Sequence, residues 1–162
     1  MLKTLLKTID RVFPPQPIYA HCDIPCGIYD PHAAQLAAHT VIRMVNLINE
    51  LPNDPAKETV HKLARYTLVK EEHAELVKKE IRVIWGDYFK NEHLEKYPKL
   101  HELVFEIMKL ASKTRQEVNL EASQQLLTKI QEFAETFFKT KGVEPVRIKT
   151  VYPTGGEIVS YK

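Results

Sequence analysis

Most of the chain repeats apolar residues every three or four positions, which is the spacing of the buried face of an amphipathic α-helix. Between residues 30 and 141 this pattern forms four stretches separated by short breaks. The inward positions are Ala34, Ala37, Val41, Met44, Ile48 and Leu51; Val60, Leu63, Thr67, Ala74, Val77, Ile81, Ile84 and Tyr88; Leu100, Leu103, Val104, Ile107, Leu110 and Ala111; and Leu126, Leu127, Ile130, Phe133, Ala134, Phe137 and Phe138. Four such helices with short links predict an all-α fold, an antiparallel up-down four-helix bundle.

Short polar and proline-containing segments mark the limits of these helices. Asp30-Pro31 and Asp54-Pro55 each place a capping residue before a proline, which is typical of the first position of a helix. The segments LPNDP (51–55) and KYPKL (96–100) separate neighbouring helices, and the fourth helix ends near Gly142. Lys70 interrupts the apolar face of the second helix, and its role is not evident from the pattern.

Both ends of the chain differ from this helical body. Residues 1–20 contain a short amphipathic stretch followed by three prolines, and they suit either an arm packed on the body or a removable leader. Residues 142–162 alternate apolar and polar positions and contain two prolines and a Gly-Gly pair. This second segment suits a strand-like arm against the bundle or a neighbour, or a loose tail, and it carries no recognisable chemistry.

Composition narrows the range of functions. The 23 basic and 21 acidic residues give a net charge of +2, so no basic face for nucleic acid is expected. The sequence has no run approaching the ~20 apolar residues that span a bilayer, so no membrane association is expected. Two cysteines are too few for a disulfide-stabilised scaffold, and they suit a reducing compartment, which predicts a cytoplasmic location.

Both cysteines lie in one short segment beside a histidine, as His21-Cys22 followed by Cys26. Pro25 and Gly27 flank Cys26 and favour a tight hook rather than a helix. On spacing alone, the cysteines are a dithiol switch in a helical interaction protein, or zinc or copper ligands in a metal-binding module without redox turnover. A redox metal centre is the third possibility.

Two segments resemble the nickel-containing superoxide dismutases. HCDIPCGIYDP (21–31) resembles the nickel hook of that family, and VIWGDYFKNEHLEKYPKLHELV (83–104) is similar to a second stretch of it. The resemblance implies an oxidoreductase that disproportionates superoxide to oxygen and hydrogen peroxide by a Ni(II)/Ni(III) cycle. It further implies one nickel ion per subunit and a homohexamer. The implied division is a leader (1–20), a nickel hook (21–29), a four-helix bundle (30–141) and a C-terminal arm or tail (142–162).

The resemblance also implies which residues bind the metal. Nickel would take the α-amine and imidazole of His21, the backbone amide and thiolate of Cys22, and the thiolate of Cys26. Square-planar nitrogen and sulfur coordination suits Ni(II), and soft thiolates distinguish the site from sites for hard cations. A free amine on His21 requires a processing peptidase to cut between Ala20 and His21.

Residues around the hook follow from the same resemblance. Tyr29 is expected over the open face of the metal as a catalytic residue, with Tyr88 nearby, and Asp23 is expected to set the geometry of the hook. In the family, a glutamate and an arginine support the imidazole of the hook, but the matching positions here are Ala37 and His73. His73 is therefore a candidate replacement for that support.

Overall fold

The structure, a computed structural model, describes residues 27–162, so the segment from residue 1 to residue 26 lies outside the described part. Four long helices account for most of the described chain, with a short helix and a π-helical turn between the second and third of them. The elements are α1 (His32–Asn49), α2 (Lys57–Val83), the π turn (Ile84–Tyr88), α3 (Asn91–Lys96), α4 (Leu100–Gln116), α5 (Leu120–Thr140), β1 (Pro145–Lys149) and β2 (Glu157–Tyr161).

The long helices pack in a closed ring. Helix α1 contacts α2 and α5, and α4 contacts the same two helices from the other side. The apolar faces predicted from the sequence meet in one core, in which Val77, Ile107, Ile130 and Phe133 have no exposed surface. The prediction of a helical bundle is therefore confirmed.

Aspartate side chains begin the first two helices, as their sequence signals predict. Asp30 Oδ1 accepts a hydrogen bond from the backbone N–H of His32 at 2.7 Å. Asp54 Oδ1 accepts from the backbone N–H of Ala56 at 2.9 Å and from the hydroxyl of Thr59 at 3.0 Å. Because the prolines lie in the capping turn, each helix begins one or two residues later than predicted.

The first half of α2 departs from the prediction. Val60 and Leu63 were expected in the core, but they are 55% and 42% exposed. The reason is length, because α2 has 27 residues whereas α4 has 17. Lys70 lies level with the last turn of α4, so the residues of α2 before it extend past the end of that helix and lack its cover.

Lys70, which interrupted the apolar pattern, is 1% exposed. Its ammonium group donates to three backbone carbonyls at the end of α4, those of Thr114, of Arg115 at 2.9 Å and of Glu117 at 3.1 Å. The last carbonyls of a helix have no partner within the helix, and Lys70 supplies one. Burial lowers the pKa of the Lys70 ammonium group.

Residues 145–161 form an antiparallel β-hairpin in which Pro145 pairs with Tyr161 and Lys149 with Glu157. Gly155 and Gly156 both have positive φ, +61° and +79°, and lie in its turn. The hairpin packs on α5 and α1, and its residue Val159 is fully buried. The sequence left open a strand-like arm or a loose tail for this segment. In the structure it is a strand-like arm packed against the bundle.

Buried polar side chains of the helices hold the hairpin, and we call Gln35, His39 and Gln131 the hairpin seat. The amide of Gln35 bonds both backbone groups of Val159, donating to its carbonyl at 2.9 Å and accepting from its N–H at 2.6 Å. Gln131 donates to the carbonyl of Glu157 at 2.6 Å. The imidazole of His39 contacts the Thr154 hydroxyl at 2.9 Å and the Glu157 carbonyl at 3.2 Å.

Candidate metal centre and its surroundings

A π-helical turn ends the long second helix and determines where Tyr88 lies. The backbone N–H of Phe89 bonds to the carbonyl of Ile84 at 3.4 Å, five residues earlier. Such turns insert one extra residue into a helix and are frequent at functional sites. Here the turn places the ring of Tyr88 beside that of Tyr29, with 5.7 Å between the ring centroids and 49° between their planes.

Three further side chains enclose the ring of Tyr88. The His93 imidazole stacks on it at 5.4 Å with an interplanar angle of 17°, and Phe137 lies at 4.8 Å. Phe89 contacts its edge at 5.1 Å. We call Tyr29, Tyr88, Phe89, His93 and Phe137 the aromatic cluster. Tyr88 is half-buried, and this packing fixes the orientation of its ring.

Two polar contacts complete the surroundings of Tyr88. Its hydroxyl lies 2.9 Å from Thr140 Oγ1, at the end of α5. The ammonium group of Lys141 lies 4.5 Å from the centroid of its ring, a cation–π distance. The hydroxyl of Tyr88 is therefore paired with that of Thr140, and the positive charge of Lys141 lies against the aromatic cluster.

Most of the predicted metal site precedes the described part of the chain. The residues outside it are Ala20, His21, Cys22, Asp23 and Cys26. Tyr29 follows Cys26 by three residues, and three extended residues span at most about 11 Å. The structure thus brings Tyr29 and Tyr88 together at the point where the hook joins the bundle.

The two positions where this chain departs from the family pattern are both described. Ala37 is 2% exposed and belongs to the core. His73 is half-buried, and its Nδ1 lies 2.8 Å from the carbonyl of Val69, so Nδ1 carries the proton and Nε2 is left as an acceptor. His73 precedes Tyr88 by fifteen residues, or about 22 Å of helix. Its role beside a hook stays a prediction.

Three other histidines of the described part have structural roles. His39 belongs to the hairpin seat, His93 stacks on Tyr88, and His101 accepts from the indole N–H of Trp85 at 3.0 Å. Among residues 27–162, no three histidine, cysteine, aspartate or glutamate side chains are placed to hold a metal ion. None of the helices in that range has the length and apolar content that a membrane span requires.

Sequence reasoning missed His93, Thr140 and Lys141. His93 and Lys141 read as ordinary surface residues, and Thr140 closes the fourth helix without belonging to its apolar face. The sequence did hold a signal for Thr140. The apolar face of the fourth helix continues through Phe137 and Phe138, and Phe138 precedes Thr140 by two residues. The partner on the π turn could not be found, since no sequence pattern predicts that turn.

Comparison with known proteins matches residues 16–141 to the nickel-containing superoxide dismutase family. This range includes the hook, the helices α1 to α5 and the aromatic cluster. The chain belongs to this family. Membership confirms the predicted metal and activity and favours superoxide dismutation over a zinc- or copper-binding module.

Two curated relatives extend the match to the nickel superoxide dismutases of Streptomyces. The enzyme named superoxide dismutase [Ni] from Streptomyces coelicolor is 38% identical over 134 residues, which is 82% of this chain and 98% of the relative. The protein of the same name from Streptomyces seoulensis is 37% identical over the same lengths. Both matches cover nearly the whole of the relative.

Solved nickel superoxide dismutase structures share the fold. The native structure at 1.30 Å has a TM-score of 0.68 and 38% identity, with 75% of this chain and 99% of that chain covered. A structure with nickel ligation corresponding to the oxidised state has a TM-score of 0.69 and 37% identity over the same shares. The hairpin (145–161) lies beyond residue 141, where the match to the family ends.

Proposed function

We propose that this chain disproportionates superoxide with a nickel ion held by His21, Cys22 and Cys26, after removal of residues 1–20. Two superoxide anions and two protons give one molecule of oxygen and one of hydrogen peroxide. The observation that carries the proposal is the family match itself, because it runs through residues 21–26 as well as the bundle.

The donor set of the hook fits nickel. The amine of His21, the backbone amide of Cys22 and the thiolates of Cys22 and Cys26 supply two nitrogens and two sulfurs for a square plane. When bound, nickel supplies a one-electron Ni(II)/Ni(III) couple, which thiolate and amidate donors lower into the range of superoxide. Thiols and amide must lose protons on binding, so loading should weaken as the pH falls.

The residue before the hook decides whether the His21 nitrogen can serve as a donor. While Ala20 is attached, that nitrogen is an amide and carries no basic lone pair. Cleavage by a processing peptidase converts it into an α-amine with a pKa of about 8, which is a good metal donor. The uncut chain is therefore a precursor in this proposal.

Tyr29 follows Cys26 by three residues, and its ring lies 5.7 Å from that of Tyr88. In this proposal the two rings stand beside the metal site and limit access to it. Asp23 lies within the hook and is assigned to its geometry, and His73 is assigned to support of the His21 imidazole. The role of Asp23 is carried from the family pattern, whereas His73 is a candidate replacement for a support that this chain lacks, and substitutions must test the two roles separately.

The proposal includes assembly and location. We propose a homohexamer in the cytoplasm, with part of the interface formed by the uncovered first half of α2. Val60, Leu63 and Leu68 are 55%, 42% and 59% exposed there, a grouping that favours contact with another protein surface. Light scattering of the processed protein checks this, and a fully active monomer would contradict it.

Three purified forms test the metal centre, one starting at Met1, one at Ala20 and one at His21. Each is incubated with nickel and assayed for bound nickel, thiolate-to-nickel absorption and superoxide consumption. We expect full activity from the form starting at His21. The form starting at Ala20 differs by one residue and keeps an α-amine, but that amine is displaced from the position required, so activity should be absent.

Equal activity in all three forms would mean that the α-amine is not a ligand. Loss of nickel binding together with retention of zinc in the form starting at His21 would contradict the nickel proposal as a whole. Metal analysis of the same samples separates these two outcomes.

A further inference from the structure

Thr140 links Tyr88 to the end of α5 by a hydrogen-bond chain with a defined direction. Thr140 Oγ1 donates to the carbonyl of Phe137 at 2.6 Å, and the hydroxyl of Tyr88 lies 2.9 Å from the same oxygen. A threonine hydroxyl has one proton. Because that proton is committed to Phe137, the oxygen of Thr140 must accept at the Tyr88 contact, and Tyr88 must donate.

The chain ends at a group that cannot pass a proton on. The carbonyl of Phe137 accepts but has no proton to give, so protons cannot travel from Tyr88 through Thr140 to solvent. The proton of Tyr88 is directed into the end of α5. The remaining hydrogen-bonding capacity of the Tyr88 oxygen is that of an acceptor.

The ring itself has little freedom to change this arrangement. The stacked imidazole of His93, the ring of Phe137 at 4.8 Å and the ammonium group of Lys141 at 4.5 Å hold it in place. Rotation about the C–O bond of the phenol is the motion left to Tyr88. Thr140 controls that rotation.

We propose that Thr140 is a positioning residue for dismutation, which fixes the hydroxyl of Tyr88 as a hydrogen-bond acceptor for any further partner. The inference rests on the proposed function, since it assigns a role within the same site. A phenol held in this way orders a proton-bearing molecule, such as water or hydrogen peroxide, and it does not itself deliver the proton to peroxide.

Paired substitutions test the role of the Thr140 hydroxyl. Thr140→Val keeps the shape of the side chain and removes the hydroxyl, whereas Thr140→Ser keeps the hydroxyl. Loss of one hydrogen bond corresponds to about a 2- to 10-fold change. We expect kcat of Thr140→Val to fall by that factor with unchanged nickel content, and Thr140→Ser to recover most of it.

A matched control lies on the same helix. Thr136 Oγ1 donates to the carbonyl of Glu132 at 3.0 Å, and within residues 27–162 it has no hydrogen-bonded tyrosine partner. Thr136→Val therefore measures what the loss of a threonine hydroxyl costs without Tyr88. If Thr136→Val and Thr140→Val lower kcat equally, the effect is structural and the inference is wrong.

A double substitution isolates the coupling between the two hydroxyls. Tyr88→Phe removes the phenol, so Thr140→Val in that background should lower kcat no further. Independent, multiplying effects of the two substitutions would overturn the inference. The pH profile of kcat should change in Thr140→Val and not in Thr136→Val.

A measurement without nickel separates this inference from the proposed function. Tyrosine labelled with ¹³C at Cζ reports the hydrogen bond of its hydroxyl by nuclear magnetic resonance in metal-free protein. We expect the Tyr88 signal to shift in Thr140→Val and to stay near its original position in Thr140→Ser. An unmoved signal in Thr140→Val refutes the hydrogen bond, whereas an inactive parent enzyme with the shift present refutes the proposed function instead.

Discussion

The aromatic cluster and the hairpin seat are two regions where distant parts of the chain meet, and they are built differently. The cluster joins Tyr29 to the π turn and to the end of α5 through ring contacts and one hydroxyl pair. The seat joins α1 and α5 to the hairpin through buried amides and an imidazole. The cluster lies within the residues that match the family, and the strands that fill the seat lie beyond them.

This difference separates function from stability. Rings at the cluster leave a half-exposed surface beside the hook and commit few polar groups. The seat is closed, and every buried side-chain nitrogen and oxygen of the described residues has a hydrogen-bond partner. We therefore expect changes at the hook and cluster to alter turnover with little loss of stability, and changes at the seat to do the reverse.

The largest effect is expected from the cysteines. Cys22→Ser or Cys26→Ser should abolish nickel-dependent turnover, because a hydroxyl cannot supply the soft donation that sets the metal potential. The urea midpoint of the metal-free protein should stay unchanged, since the hook precedes the bundle. Activity near that of the parent in either variant would contradict the proposed metal centre.

Gln35→Leu should cause the largest loss of stability at the seat. It removes both hydrogen bonds of Val159 and leaves a buried N–H and a buried carbonyl unpaired, which costs about 3 kcal/mol. Urea unfolding measures this loss, and the turnover per bound nickel should be unchanged. Gln125→Leu is the matched control, because Gln125 is exposed and bonds the side chain of Glu121.

If Gln35→Leu also lowered the turnover per bound nickel, the hairpin seat would affect function as well as stability. Coupling between seat and cluster would then run through α5, which contributes Gln131 to one and Phe137 to the other.

Lys70→Met tests stability at a site outside both the aromatic cluster and the hairpin seat. The substitution keeps much of the side-chain volume but removes three donors from the end of α4, at a cost of about 2 kcal/mol. Urea unfolding should show this loss with turnover retained. An unchanged midpoint would mean that water replaces the ammonium group without cost.

The smallest expected effect is a pH dependence from His39. Burial lowers the pKa of His39 below its ordinary value of about 6.5. The unfolded chain therefore binds this proton at a higher pH than the folded one, so stability is full above 6.5 and falls as the pH drops towards the folded pKa.

His39→Gln should remove that component, so the loss of stability between pH 7.5 and 5 should be smaller in the variant than in the parent. The measurement is the difference in unfolding free energy between parent and variant at the two pH values. His61→Gln serves as the control, because His61 is exposed. Equal pH dependence in parent and His39→Gln would refute the assignment.

The sequence predicted what depends on periodicity. The core faces of the bundle follow from apolar spacing, and Asp30 and Asp54 begin helices because a carboxylate accepts from the first free N–H groups. Residue types and spacing at the hook left a dithiol switch and a zinc or copper site open, and the nickel chemistry came from the family resemblance. Tyr29 and Tyr88 were paired through the family resemblance, and the structure places their rings 5.7 Å apart.

Long-range polar contacts could not be predicted. Lys70, Gln35 and His39 look like intrusions on helix faces, because the carbonyls that they bond belong to segments 44 to 124 residues away. Val60 and Leu63 fit the apolar pattern, yet α4 is too short to cover them. Each of these positions is decided by which element lies opposite, and a single helix does not contain that information.

The contact between Gln35 and Val159 has a consequence for the order of folding. These residues are 124 positions apart, so α1 emerges from the ribosome long before its partner strand is made. Until residue 159 is free of the exit tunnel, the amide of Gln35 faces a surface that nothing covers. Contacts of such long range close late and slow the search for the native state. The chain therefore completes its fold only after the hairpin has been synthesised. The hook, near the other end of the chain, leaves the ribosome much earlier.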